Sequence, residues 1–226
     1  MENTAAPEAI GAVAPGPTAA EGRGAIDAAR RSVESMFRRG FKTWAEQTSA
    51  RVRQKLNLSP YSPLNPIQLA EILGVLVLSP DDLGELSEDV RHRLLNDHGD
   101  NWSAITVSDG RSHLIVTNSS HANTRRNSDL AHELAHIILG HEPSMMFMSP
   151  NSGLALRTYN EDQEQEADWL AGCLLLPRDA LLAVRRRRLP DGEVCSEYGV
   201  SPAMFRFRLN ITGIDTQLRR ARGSRP

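Results

Sequence analysis

His132, Glu133 and His136 stand in the spacing H-E-x-x-H, inside a stretch with the composition of a helix. Four helical residues advance about 400° and about 6 Å, so the two imidazoles project one turn apart from one face and a single metal ion can take both. Glu133 lies about 100° round from His132. It is too far round to chelate beside that histidine, but well placed to take a proton from a water held in an open fourth position. The chemistry indicated is hydrolysis, with zinc bringing the water's pKa down towards 7 and polarising a carbonyl. The pattern occurs by chance in roughly one chain in a hundred of this length, so its surroundings decide.

A surface helix that merely happened to carry histidines would show charged residues on its solvent side. From 130 to 140 the residues outside the motif are Leu130, Ala131, Leu134, Ala135, Ile137, Ile138, Leu139 and a terminating Gly140. This helix is built for burial. A carboxylate and two imidazoles drawn inside need partners, and a divalent cation satisfies all three at once.

A hydrolytic zinc site takes three protein ligands and leaves one position open. The third comes from the segment 160–177, where Asn160 can cap a helix, Pro177 marks its end, and Ala167, Leu170, Ala171 and Leu174 form a packed stripe. Glu164 and Asp168 share the edge of that stripe, so Glu164 is expected as ligand and Asp168 as the acceptor that orients a ligating histidine through its other ring nitrogen. Glu166 lies about 200° from Glu164 and is expected to face elsewhere, while Glu161 shares the face but belongs to the first turn, where acids suit the helix dipole. An oxyanion also needs a donor. Tyr159, His141 and Arg126 are the candidates, and spacing does not rank them.

These groups need a frame. Residues 1–24 are mostly Ala, Pro, Gly, Thr and Glu without periodicity, the composition of a disordered tail, and they have neither the basic nor the apolar part of a secretory signal. The stretch 26–58 reads helical, with Val33, Met36, Phe37, Trp44, Val52 and Leu56 as candidate core positions. Turn residues 59–66 lead into a short helix over 67–73, punctuated by Gly74 before a strand at Val75–Leu78. Residues 104–107 and His113–Thr117 read as a hairpin about Asp109-Gly110, whose second strand leads through 118–128 into the metal helix. A strand at that position is able to pair with an extended peptide. Phe147, with Met145, Met146 and Met148, falls between the two ligand helices as either a core plug or an apolar subsite.

At 226 residues, 40% hydrophobic and 24% charged, the chain can build one good core and a small appendage. No uninterrupted apolar run is long enough to span a membrane. Cys173 and Cys195 match no zinc-knuckle spacing and are expected as buried, idle thiols, which sets a cytoplasmic location by default. Net charge is −2, yet residues 178–226 hold eleven arginines against five acids. The Arg185–Arg188 run reads as a solvated helix end, with nucleic-acid contact as the alternative.

With these residues placed, the chain resembles the ImmA/IrrE family of gluzincin-like metallopeptidases from about Phe37 to Ile214. The resemblance rests on Arg53-x-x-Leu56-x-Leu58, the 63–75 turn and helix, Arg126, the H-E-x-x-H motif, Glu164-x-x-Ala167-Asp168-x-x-Ala171-x-x-Leu174-Leu175-x-Pro177, and Tyr198-Gly199-Val200-Ser201-Pro202 leading to Arg208-Leu209. It departs from the family at Leu170, where an aromatic is usual, and at residues 127–130. The resemblance implies an α+β, zincin-like fold with a small sheet packed on the helices that carry the site. It also implies Zn²⁺ on His132, His136 and Glu164, and limited proteolysis of a helix-turn-helix repressor in a stress-response or mobile-element switch. The expected organisation is a tail over 1–25, a peptidase domain over 26–190 and a short basic helical segment over 191–226. Expected partners are a protein substrate, with nucleic acid at most indirect and no membrane. The alternatives are a general zinc aminopeptidase and a regulatory protein-binding or DNA-associated module with a structural metal, in which 194–211 mimics a helix-turn-helix.

Overall fold

A computed structural model of the chain describes residues 37–108, 111–141, 146–148, 155–157 and 160–223. Strands β1 (Val75–Leu78), β2 (Ala104–Ser108) and β3 (His113–Thr117) form one sheet in the order β1-β3-β2, with β1 parallel and β2 antiparallel to β3. The hairpin pairing is therefore as expected; its turn at Asp109-Gly110 lies outside the described residues. A separate ribbon pairs β4 (Met146–Met148) with β5 (Ala155–Arg157). Val33, Met36, Met145 and Tyr159 also fall outside the described residues.

The sheet has two unlike faces because side chains alternate along a strand. One row, Val77–Ile115–Thr106, is in register on the inner face, where Ile115 is fully buried. The outer rows are Leu76–Leu114–Val107 and Leu78–Val116–Ile105, and Leu76, Val107 and Ile105 are exposed. The inner face packs on helix α4 (Asn123–Leu139), which carries the histidine motif.

In chain order the other helices are α1 (Phe41–Lys55), α2 (Pro66–Leu73), the short α3 (Glu88–His92), α5 (Glu161–Leu175), α6 (Arg178–Arg187), α7 (Asp191–Tyr198), α8 (Pro202–Thr212) and α9 (Ile214–Gly223). Helices around a small mixed sheet make the protein α+β. Helix α5 packs on α4 and also meets α1. The sequence suggests one helix over 26–58, but α1 begins at Phe41, after Gly40 at φ 89°. That left-handed backbone suits glycine and breaks a helix. The buried face of α1 is Phe41, Ala45, Thr48, Ser49 and Arg53, whereas Phe37, Trp44, Val52 and Leu56 are only half-buried. Small and polar residues occupy that face because it lies against the end of α5 and bonds to its backbone.

Three α5-end carbonyls find side-chain donors there. Ser49 Oγ donates to Cys173 O at 2.6 Å, Arg53 Nη2 to Leu174 O at 2.8 Å, and Arg208 Nε, from α8, to Leu176 O at 3.0 Å. These are orphan acceptors of a helix C-terminus, where positive charge also suits the dipole. Both guanidiniums are fully buried. Arg53 also reaches Ser49 Oγ and Ser62 O, and Arg208 pairs with Glu46 at 2.6 Å. Burial pushes the Arg53 guanidinium down to about 10. Gly172 leaves the room: a Cβ there would sit 2.9 Å from Arg208 Cδ.

Helices α7 and α8 meet at a turn where Gly199 is left-handed and Ser201 Oγ accepts from Met204 N. In the arginine run, Arg186, Arg187 and Arg188 are exposed at the end of α6, as a solvated helix end requires. Arg185 differs. It is half-buried, pairs with Asp191 at 2.6 Å and Asp215 at 3.2 Å, and lies over the Phe205 ring, so it ties α6 to the helices that follow. Both cysteines are buried free thiols. Among the described residues, no helix is long and apolar enough to cross a membrane.

Candidate metal centre

Helix α4 starts at Asn123, earlier than residues 127–129 suggest from their weak helix propensity. A tertiary bond compensates, Asn127 Nδ2 donating to Gly199 O at 3.1 Å, while Ser128 Oγ turns back within the helix to Thr124 O at 3.0 Å. The helix buries Leu130, Ala131, Leu134 and Ala135 together with Glu133. On α5, Asn160 Oδ1 accepts from Asp162 N and Gln163 N and fixes the first turn, which sets where Glu164 projects.

His132, His136 and Glu164 converge, each half-buried, with one ligand atom from each lying within 4.8 Å of the others. His136 Nε2 is 3.0 Å from His132 Nε2, and Glu164 Oε2 is 3.2 Å from His132 Nε2. On the far side of the ring, His132 Nδ1 meets Asp168 Oδ1 at 2.8 Å. An ionised carboxylate only accepts, so Nδ1 carries a hydrogen whether or not the ring is charged, and Nε2 is the nitrogen that faces the centre, where a metal would take its lone pair. Burial works against charge on His132, but Asp168 above all, with Glu133 and Glu164, outweighs it and raises the pKa above the ordinary imidazole value. Positive charge is favoured at this point. Two imidazole nitrogens and a carboxylate oxygen around one position, in a field that favours a cation, fit a divalent metal ion of the zinc type.

A cleft of about 430 Å³ opens onto the centre, lined by His132, Glu133, Glu164, Asp129 and residues 100–105. Glu133 is held from the sheet: Thr106, the inner-face residue of edge strand β2, donates its hydroxyl to Glu133 Oε2. The wall over 99–103 is pinned by the fully buried Asn118, whose amide donates to Gly99 O at 2.7 Å and Trp102 O at 3.1 Å. Arg125 reaches the same wall, donating to Ser103 Oγ at 3.2 Å and lying 3.8 Å from Asp129. Arg126 is half-buried on α4, and neither it nor His141 lines this cleft. His141 instead stands behind His136, with its Nδ1 3.0 Å from His136 Nδ1.

Thr106, Asn118 and Arg125 are additions to the residues the sequence singles out. Thr106 has a signal in retrospect, being a polar residue set between the outward-facing aliphatics Ile105 and Val107. Arg125 lies seven residues before His132 and hence on its face, within about 20°.

An α+β fold with this site defines a metallopeptidase-type centre on paired helices. The family described as IrrE N-terminal-like domain matches residues 70–210, more than half of the chain, and the chain belongs to that peptidase family. No curated protein matches it.

Proposed function

We propose that the chain is a zinc-dependent peptidase, acting by limited proteolysis on a protein substrate inside the cytoplasm. The substrate class is a helix-turn-helix repressor in a stress-response or mobile-element switch. The observation that carries the hydrolytic reading is the placement of Glu133: buried, held by Thr106, and lining one cleft with His132 and Glu164. A purely structural metal site has no need of such a base.

His132, His136 and Glu164 would hold the ion, which when bound supplies Lewis acidity towards a carbonyl oxygen and a water. Glu133 takes one proton from the attacking water as its oxygen bonds to the carbonyl carbon, then delivers that proton to the amine nitrogen as the C–N bond breaks. Thr106 engages Oε2 and so fixes the carboxylate's orientation through both transfers. Asp168 keeps the His132 hydrogen on Nδ1. Edge strand β2 borders the cleft and offers main-chain groups to an extended segment of substrate, a docking mode that selects unfolded or looped chain over a compact domain. Arg125 reaches the wall of the cleft through Ser103 and is a cation near enough to serve a substrate carbonyl, while Tyr159 and Arg126 stay candidates from sequence alone.

The test is cleavage of a purified helix-turn-helix repressor by the full chain, with and without a zinc chelator. Glu133→Gln should lower the rate by about 10²–10⁴-fold with zinc binding preserved, and chelation should abolish cleavage. Cleavage that survives both sinks the proposal; hydrolysis confined to small aminoacyl substrates would point to an aminopeptidase instead.

A further inference from the structure

Helix α4 ends in a way that brings a third histidine back to the motif. Gly140, at φ 65°, donates its N–H to Ile137 O at 3.1 Å, and His141 donates its N–H to His136 O at 3.1 Å. This is the pair of bonds that closes a helix through a left-handed glycine. The chain therefore reverses at Gly140, and the His141 ring lies 5.0 Å from the His136 ring, centre to centre. His141 Nδ1 is 3.0 Å from His136 Nδ1, and His141 Nε2 is 3.3 Å from Glu166 Oε2. Only 7% of the His141 side chain and 12% of the Glu166 side chain are exposed. Glu166 does point away from Glu164, as the helix geometry expects, but it points into this buried contact.

Two imidazole nitrogens at hydrogen-bond distance need one hydrogen between them, and the neighbours decide whose it is. The Glu166 carboxylate only accepts, so His141 carries its hydrogen on Nε2 and leaves Nδ1 as a lone pair. That lone pair accepts from His136 Nδ1–H. His136 Nε2 is then a lone pair directed at His132 and Glu164, the form a metal requires. Resting on the zinc-site reading above, we propose that His141 and Glu166 are positioning residues: a buried relay that selects the metal-binding tautomer of His136. His132 receives the same instruction directly from Asp168.

The tautomer is read on the wild-type, metal-free full chain by long-range ¹H–¹⁵N NMR of the histidine rings. His136 should appear as the Nδ1–H form and His141 as the Nε2–H form; the reverse assignment overturns the relay with no variant needed. Zinc affinity is then measured by competition with a chromophoric chelator. Glu166→Leu should weaken binding by about 10–100-fold, His141→Phe likewise, and Glu166→Gln, which keeps an acceptor oxygen, should recover most of the loss. Folded Leu and Phe variants that bind zinc as tightly as wild type overturn the proposal. A wild-type chain that binds no zinc would overturn the site reading instead, and the tautomer assignment would still decide whether the relay exists.

Discussion

Over its first two turns α5 presents Glu164 and Asp168 to histidines of another helix, with the Asp168 side chain 71% exposed. At its last turn it presents backbone carbonyls to Ser49, Arg53 and Arg208, all buried. The same helix thus carries a solvent-accessible polar cluster at one end and a sealed polar network at the other. The open end is suited to exchanging a ligand and a substrate, and water can satisfy its groups when a partner leaves. The sealed end has no such reserve: removing one partner strands another in the interior. Changes at the two ends should therefore be read out in different measurements.

The largest effect is expected at the sealed end. Arg208→Met leaves Leu176 O and Glu46 Oε1 without their donor, with Glu46 Oε2 still bonded to Arg178 N, and should cost about 3 kcal/mol or more of stability, measured by urea unfolding, while the folded fraction keeps its zinc affinity. At the open end, Asp168→Asn should cost about 10–100-fold in zinc affinity and move the urea midpoint of the metal-free protein little. Gly172→Ala tests the sealed end more gently. The added methyl meets Arg208 Cδ and should destabilise by about 1–3 kcal/mol with zinc affinity unchanged. The smallest perturbation is chemical: burial pushes the Cys173 thiol up to about 12, and the thiolate is the reactive form. At pH 8 an alkylating reagent should therefore leave Cys173 unmodified in the native protein and label it only after unfolding, as mass spectrometry of the digested chain can establish. Zinc affinity that tracks stability in all these variants would dissolve the distinction between the two ends.

The convergence of His132, His136 and Glu164 is legible in the sequence because it obeys helical periodicity: residues four apart on a helix share a face whatever packs on it. The class of fold is legible for the same reason, since strands and helices differ in the period of their apolar residues. Thr106 and Glu166 are not legible in that way. Thr106 reaches Glu133 from the edge of a sheet, and Glu166 reaches a histidine placed by a helix stop, so both depend on tertiary pairings that local spacing does not encode. The start of α4 was hidden because the Asn127–Gly199 bond offsets poor propensity from a distant loop. The buried face of α1 escaped a hydrophobic reading because Ser49 and Arg53 are there for hydrogen bonding. Arg53 and Arg208 were visible as parts of a family pattern, but their task at the end of α5 required the structure.

The network at the end of α5 also has a meaning in time. Synthesis runs from the N-terminus, so Arg53 and Ser49 are made before α5, whereas Arg208 follows it by a further two helices. A growing chain that has passed Leu176 already has every residue of the metal cluster, yet the Leu176 carbonyl still lacks its donor. The donor that secures the end of α5 thus arrives only with α8, when the residues of the metal cluster are already in the chain.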